Sequence, residues 1–489
     1  MILDSLKNFI PIFSIFVLMF SIIIILLNKS FYKNFLINYY IVLISLVFCF
    51  SFLFFSDYKI FLCLSKFIIY DDYSRIFFGL LYISGFFSYF FLYHFSILSN
   101  EEKDECCLLL LISILGGILV GLSTNIILFI MGLELLFLPL IGLINFSNTS
   151  YSLIVSLKYF FISILMTLLL LLGFSLLYLI FGNLKIFSIF LYFFSGLNFF
   201  TYFLMIMSIL LIIFSLFFKL SLFPFHFFIL DIYKYVFSPI LIYYSVASKI
   251  SIVLFLVRFF SKIYYLRNVS ILYQILFFVL MISIFYGNFM AYFQKNIKIV
   301  LSYTSISQIG IILMILLNNP FLSQIFPEFL IGVMSYILGI ICFFSILSII
   351  EYFQITQKKL LIDSNSLIGL FWYSPFLGSA LVVLFFLFSG FPLTLGFWSK
   401  LYLLRFSIHE NLWYLLGFLG ISSFFSIFCY LPFLKNIFIY PINLNEFYIK
   451  KKFKISFIFL IIIFFLIFFL IFLGFFPFSF IYIFFLKKI

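Results

Sequence analysis

Charge, alanine and arginine are scarce in this sequence. Of 489 residues only 9% are charged, alanine occurs at three positions (Ala247, Ala291, Ala380) and arginine at four. With 67% hydrophobic residues and a mean hydropathy of +1.36, the chain cannot close a water-facing surface around one core. Strict period-2 alternation is absent, which excludes a membrane barrel and leaves helices as the spanning elements. The six cysteines (Cys49, Cys63, Cys106, Cys107, Cys342, Cys429) form no CxxC or Cys/His spacing, so no metal, iron-sulfur or disulfide framework is expected. Neither GxGxxG nor GxxxxGK[ST] occurs, so no nucleotide is expected either. The start, MILDSLKNFIPIF, has neither the charged leader with a small-residue cleavage site nor an Arg-rich presequence, and the first apolar run is expected to stay as a span.

What is present is length of apolar run. Phe supplies 85 residues, and stretches such as 10–27 and 455–472 are long enough to cross about 30 Å of hydrocarbon as helices. Splitting at polar clusters predicts an all-α polytopic membrane protein with about fourteen transmembrane helices. They lie near 9–27, 36–56, 76–98, 107–123, 125–146, 152–180, 199–230, 239–261, 271–293, 299–317, 328–352, 375–404, 412–434 and 455–486. The seventh breaks around Pro224 and the twelfth around Gly390 and Pro392, because proline lacks the amide a continuous helix needs. Such breaks persist in a bilayer only where protein or a wet cavity satisfies the freed carbonyls, and a matching pair points to inverted repeats around a transport path. The expected division is 1–106 (helices one to three), 107–262 (a first five-helix repeat), 263–434 (a second) and 435–489 (a loop and the last helix).

The net charge of +13 fits loops that face anionic lipid and set topology, and no nucleic acid is expected. Loops after odd-numbered spans carry slightly more Lys and Arg than the opposite side, which places them weakly on the matrix or cytoplasmic side. Five basic residues fall inside spans: Lys158, Lys219, Lys249, Arg258 and Lys400. Glu134 is the carboxylate well inside one. Each costs about 2.5–3.5 kcal/mol at a helix centre, so such residues are functional candidates unless a long stem snorkels to the interface. Arg258, close to its span end, reads as snorkelling, and Lys158 sits between the two readings. Lys249 in SVASKISIV is mid-span. Lys219 and Lys400 adjoin the broken helices. Glu134 in IMGLELLFLPLIGL has too short a stem to escape. His226, two residues after Pro224, is either a proton shuttle or a cap for freed carbonyls. Tyr303, Ser305 and Gln308 in LSYTSISQIG either hold an ordered water or form a polar packing stripe.

These motifs carry a resemblance. GLELLFLPL (132–140), SLKYFF (156–161), FFKLSLFPFHFFILDIY (217–233), SVASK (245–249), GNFMAYFQKNIKIVLSYTSISQIG (287–310) and SGFPLTLGFWSKLYLL (389–404) occur in the order found in antiporter-like subunits of the proton-pumping NADH:quinone oxidoreductase, respiratory complex I. The series resembles subunit 2 more closely than sister subunits 4 and 5 or the related cation/proton antiporters. The resemblance covers about 130–405. It implies an antiporter-like fold and a proton relay in which Glu134 pairs with Lys219, Lys158 and Lys249 continue a polar axis, and Lys400 carries the proton onward. It implies no cofactor on this chain, with NAD(H), FMN, iron-sulfur clusters and ubiquinone elsewhere in the complex. Partners would be neighbouring antiporter-like and other membrane subunits, with membrane lipids around them. Gln308 stands where many members have histidine, and Asn125 near a position that is often acidic. The Phe and Lys bias tracks A+T-rich codons and suggests an organellar or endosymbiont gene; the expected setting is the mitochondrial inner membrane. The rival reading is a subunit of a cation/proton antiporter.

Overall fold

The computed structural model describes residues 10–32, 34–55, 68–95, 98–147, 150–185, 199–262, 270–318, 322–355, 364–440 and 457–477. They are helical throughout, with two isolated β-bridges (Ile68 with Ser123, Asn125 with Lys185) and no sheet among the described residues. The helices are α1 (Ile10–Phe31), α2 (Phe35–Phe55), α3 (Asp72–Phe95), α4 (Asn100–Leu122), α5 (Ile126–Asn145), α6 (Ser150–Phe181), α7 (Phe199–Lys219), α8 (Phe227–Tyr235), α9 (Ser238–Lys262), α10 (Ser270–Tyr292), α11 (Ile297–Asn318), α12 (Leu322–Ile355), α13 (Leu370–Tyr373), α14 (Pro375–Ser389), α15 (Leu395–His409), α16 (Trp413–Phe438) and α17 (Phe457–Phe475).

Thirteen helices among the described residues are long and apolar enough to cross a membrane. The remaining expected span is the pair α14 and α15, fifteen residues each, interrupted at residues 390–394. The seventh span is interrupted too: α7 stops at Lys219 and α8 starts at Phe227.

The chain folds as two compact units. The first holds residues 1–221 and 235–272, the second 222–234 and 273–489. Within the first, α9 is the central column. Its span Ser238–Phe260 is wholly buried, Lys249 and Arg258 included. The tightest pair is α4 with α5. A Cβ on Gly116 would lie 2.3 Å from the Leu136 backbone nitrogen, and one on Gly132 2.7 Å from that of Val120. Small residues thus let the two backbones touch, the usual solution where lipid gives no hydrophobic drive to helix pairing. This contact fixes the turn of α5 that carries Glu134. In the second unit the spans of α11 and α12 are almost entirely interior.

Candidate functional site

In the first unit the site grows from the end of α7. Its last backbone bonds are Leu220 N–H to the Leu216 carbonyl (2.9 Å) and Ser221 N–H to that of Phe218 (2.8 Å). Ser221 then takes the left-handed conformation (φ 61°), and the helix ends. Lys219, on that final turn, is 4% exposed. Its Nζ lies 4.2 Å from the centroid of the Phe137 ring, a cation–π contact. Among the described residues no acceptor lies within hydrogen-bond reach of that ammonium. The opposite charge it feels is Glu134, half-buried on α5 without a hydrogen bond between the two. Glu134 is the ninth of the twenty residues of α5, and twenty residues at about 1.5 Å each span about 30 Å, which puts the carboxylate near mid-membrane.

Lys249 lies on the central helix α9 and is 1% exposed, too deep in protein to snorkel. The serines around it, Ser245, Ser248 and Ser251, return their hydroxyls to the carbonyls of Leu241, Tyr244 and Ala247 on the same helix. Beside them Ser113 of α4 donates to the Tyr243 hydroxyl at 3.0 Å. Lys158 differs from the other three. It sits on α6 with its side chain exposed at the surface of the chain, so the unit encloses Glu134, Lys219 and Lys249 but leaves Lys158 on its outer face.

In the second unit Lys400 belongs to the other break. Helix α14 ends in a Schellman turn: Gly390 is left-handed (φ 76°), its N–H bonds the Leu387 carbonyl (3.2 Å), and the Phe391 N–H bonds that of Phe386 (3.0 Å). Two carbonyls remain. Phe388 accepts from Gln308 Nε2 of α11 at 3.5 Å, and Ser389 accepts from Lys400 Nζ at 2.7 Å. Lys400 also donates to Ser426 Oγ of α16 at 2.9 Å, and Ser426 donates to the same Ser389 carbonyl at 3.1 Å. All four C-terminal carbonyls are therefore satisfied, and the cation stands at the negative end of the helix dipole. Gly396 permits this: a Cβ there would lie 2.1 Å from the Leu387 oxygen.

His226, fully buried at the first break, hydrogen-bonds the Tyr286 hydroxyl through Nε2 at 3.1 Å, and its ring packs against Phe223, Phe227 and Tyr286. Its carbonyl accepts from the Ile229 N–H. Tyr303 of α11 completes this aromatic group, 6.3 Å from the His226 ring. The Ser302, Thr304, Ser305 and Ser307 hydroxyls bond back to their own helix, while Gln308 reaches across to α14.

Two buried ion pairs went unrecognised in the sequence. Arg258 does not snorkel. It is 7% exposed and grips Asp71 with Nε (3.0 Å) and Nη2 (2.9 Å), while Nη1 donates to the Gly121 carbonyl. Asp71 in turn caps α3, its Oδ1 accepting from Ser74 N–H while Ser74 Oγ accepts from Asp71 N–H, both at 2.9 Å. The guanidinium found a carboxylate and a helix-end carbonyl inside the fold, which its planar fork suits better than lipid headgroups. Lys298, read as a loop residue, is 3% exposed and bonds Glu351 at 2.8 Å. The sole signal in the sequence was its place one residue before the predicted span 299–317, with Glu351 near the end of the next, 328–352.

Comparison with known proteins places this architecture. The family described as NADH:quinone oxidoreductase/Mrp antiporter, transmembrane, matches residues 123–426, more than half of the chain. NADH-quinone oxidoreductase subunit N from Buchnera aphidicola of Acyrthosiphon pisum is 33% identical over 449 residues, 90% of each chain. The chain belongs to this family. The counterpart from Buchnera aphidicola of Schizaphis graminum is 31% identical over 89% of each chain. Among solved structures, a chain of respiratory complex I from Thermus thermophilus matches with a TM-score of 0.78 at 22% identity, covering 95% of this chain and 97% of that one. A chain of the archaeal membrane-bound sulfane sulfur reductase gives 0.84 at 18% identity (96% and 95%). One from the Mrp complex of Dietzia gives 0.74 at 15% (89% and 81%). The fold is antiporter-like, and the protein is a multi-pass antiporter-like member of the complex I membrane-subunit family. These sequence relatives are bacterial and carry the designation N, so they lend no support to a mitochondrial setting or to subunit 2 in particular.

Proposed function

We propose that this chain is a proton-translocating membrane subunit of an NADH:quinone oxidoreductase, and that Glu134, Lys219, Lys249 and Lys400 form its relay. The observation that carries the reading is Lys219. It is a buried ammonium at a helix break, with no acceptor in hydrogen-bond reach among the described residues and a carboxylate as the charge it feels. Opposite charges about 4 Å apart interact by roughly 4 kcal/mol at an effective dielectric near 20, so drawing Glu134 toward or away from Lys219 switches how firmly the lysine holds its proton. Lys400 combines two tasks, capping α14 and accepting the proton, because the carbonyl and hydroxyl that fix its position leave the amine free to protonate and deprotonate. Lys158, on the outer face, and His226, bonded to Tyr286, enter as flanking members. The electron carriers, NAD(H), FMN, iron-sulfur clusters and ubiquinone, reside on other subunits, and this chain does no redox chemistry. Of the two settings that the codon bias suggests, the Buchnera relatives favour a bacterial endosymbiont membrane over an organelle. The same relatives support the position of subunit N for this chain. Replacing Lys219 or Glu134 by alanine in assembled enzyme should lower proton transfer per electron; unchanged stoichiometry in both variants overturns the relay.

The likeness to the Mrp chain favours a second reading, a cation/proton antiporter subunit. Sodium-driven proton flux in vesicles carrying this chain without quinone turnover would select it.

A further inference from the structure

The outer face of the first unit carries a groove between α2 and α3, lined by Leu46, Val47 and Phe50 on one side and Tyr82, Ile83, Phe86 and Phe87 on the other, with a cavity of about 160 Å³. Its walls are apolar apart from the Tyr82 ring. The groove is continued by a stripe along α3. Phe90 stacks on Phe86 at 6.2 Å, and His94 packs edge-on against Phe90 at 5.1 Å. Positions 86, 90 and 94 are one helical turn apart, so the stripe runs along one face of the helix. It ends in polar groups. The Tyr39 hydroxyl and His94 Nε2 are 3.3 Å apart, the Tyr39 ring lies 4.1 Å from that of Tyr93, and Lys103 Nζ sits 5.0 Å above the Tyr93 ring while donating to its carbonyl at 3.0 Å. Exposed Tyr40 flanks the cluster.

The geometry points to a bound phospholipid, with one acyl chain in the α2/α3 groove and the phosphate at the Tyr39–His94–Lys103 cluster. An acyl chain matches the apolar walls of the groove. The lengths agree. Val47 lies seven residues beyond Tyr40, about 10 Å along α2 at about 1.5 Å per residue, so a head group held at the tyrosines puts the middle of its chain in the groove. Tyrosines at one level with a lysine are the usual marker of the headgroup zone. The charge pattern selects the class of lipid. Lys103 offers the phosphate a cation with donors left over. Glu101, Asp104 and Glu105 stand on the same turn of α4, with Glu105 held by Lys29 at 2.9 Å, and they oppose a head group of net negative charge. A zwitterionic phospholipid meets both, its phosphate toward Lys103 and its ammonium toward the carboxylates.

The test uses the assembled complex in nanodiscs doped with a trace of phospholipid bearing a photoreactive acyl chain, as phosphatidylcholine in one arm and phosphatidylglycerol in the other. Labelled peptides are mapped after illumination. The expected result is labelling of Val47, Phe50, Ile83 or Phe87 several-fold above that of the exposed face of α16, stronger for the zwitterionic probe. It should be lost on plugging the groove with Ile83→Trp and reduced by Lys103→Gln. Labelling of α2 and α3 no greater than that of α16, or unmoved by Ile83→Trp, means annular lipid only and overturns the site. Equal labelling by both probes overturns the head-group assignment.

Discussion

Arg258 has the most to lose from substitution among the charged side chains of the first unit. Arg258→Ala leaves half-buried Asp71 without its cation and the Gly121 carbonyl without its donor, a loss of about 3 kcal/mol, the lower end for breaking one side of a buried pair because the carboxylate keeps some water. The measurement is thermal inactivation of the assembled complex, and Arg258→Lys should restore only part of the stability because an ammonium cannot reproduce the two parallel bonds. Lys298 and Glu351 allow the complementary test. Each single apolar substitution should destabilise by about 3–5 kcal/mol, whereas Lys298→Met with Glu351→Leu should come close to the parent, since replacing both partners removes the desolvation cost along with the attraction. For Lys400 the two tasks separate. Lys400→Arg keeps donors for Ser389 and Ser426 but does not release a proton, so assembly should persist while pumped protons per electron fall.

At the scale of the element, the breaks were legible because proline and glycine leave a local mark: FPFH and SGFPL announced interruptions that the structure places at residues 220–226 and 390–394. Glu134, Lys219 and Lys249 were also legible, since a charge in an apolar run is visible without any tertiary knowledge. What closes each break was not. That Gln308 and Lys400 supply donors to the unpaired carbonyls of α14 depends on three helices meeting, which no local pattern encodes. The partners of Arg258 and Lys298 were hidden for the same reason, Asp71 being 187 residues from Arg258 in the chain. The tight return at Gly396 gives a test at this scale. Gly396→Ala would drive a Cβ into the Leu387 oxygen, splay α15 from α14 and withdraw Lys400 from its carbonyl. The expected outcome is reduced assembled complex, read by native gel, with lower proton transfer in whatever assembles.

At the scale of the whole molecule, about fourteen crossings were expected from hydrophobic run length; among the described residues thirteen helices are long and apolar enough to cross, and the broken pair α14 and α15 stands where the other was expected. The outer faces were not legible. A sequence does not distinguish a lysine such as Lys158 that remains on the outside of the folded chain from one such as Lys249 that the fold encloses, because both sit in equally apolar runs. The central claim is that a charge pair at the first break switches proton affinity in a pump driven by electron transfer elsewhere. Its most direct measurement is the proton-to-electron ratio of the assembled, proteoliposome-reconstituted complex carrying Lys219→Ala, with Glu134→Ala alongside. The account predicts intact electron transfer capacity per assembled complex with fewer protons moved in both variants. A full ratio in both, with assembly unimpaired, would contradict it.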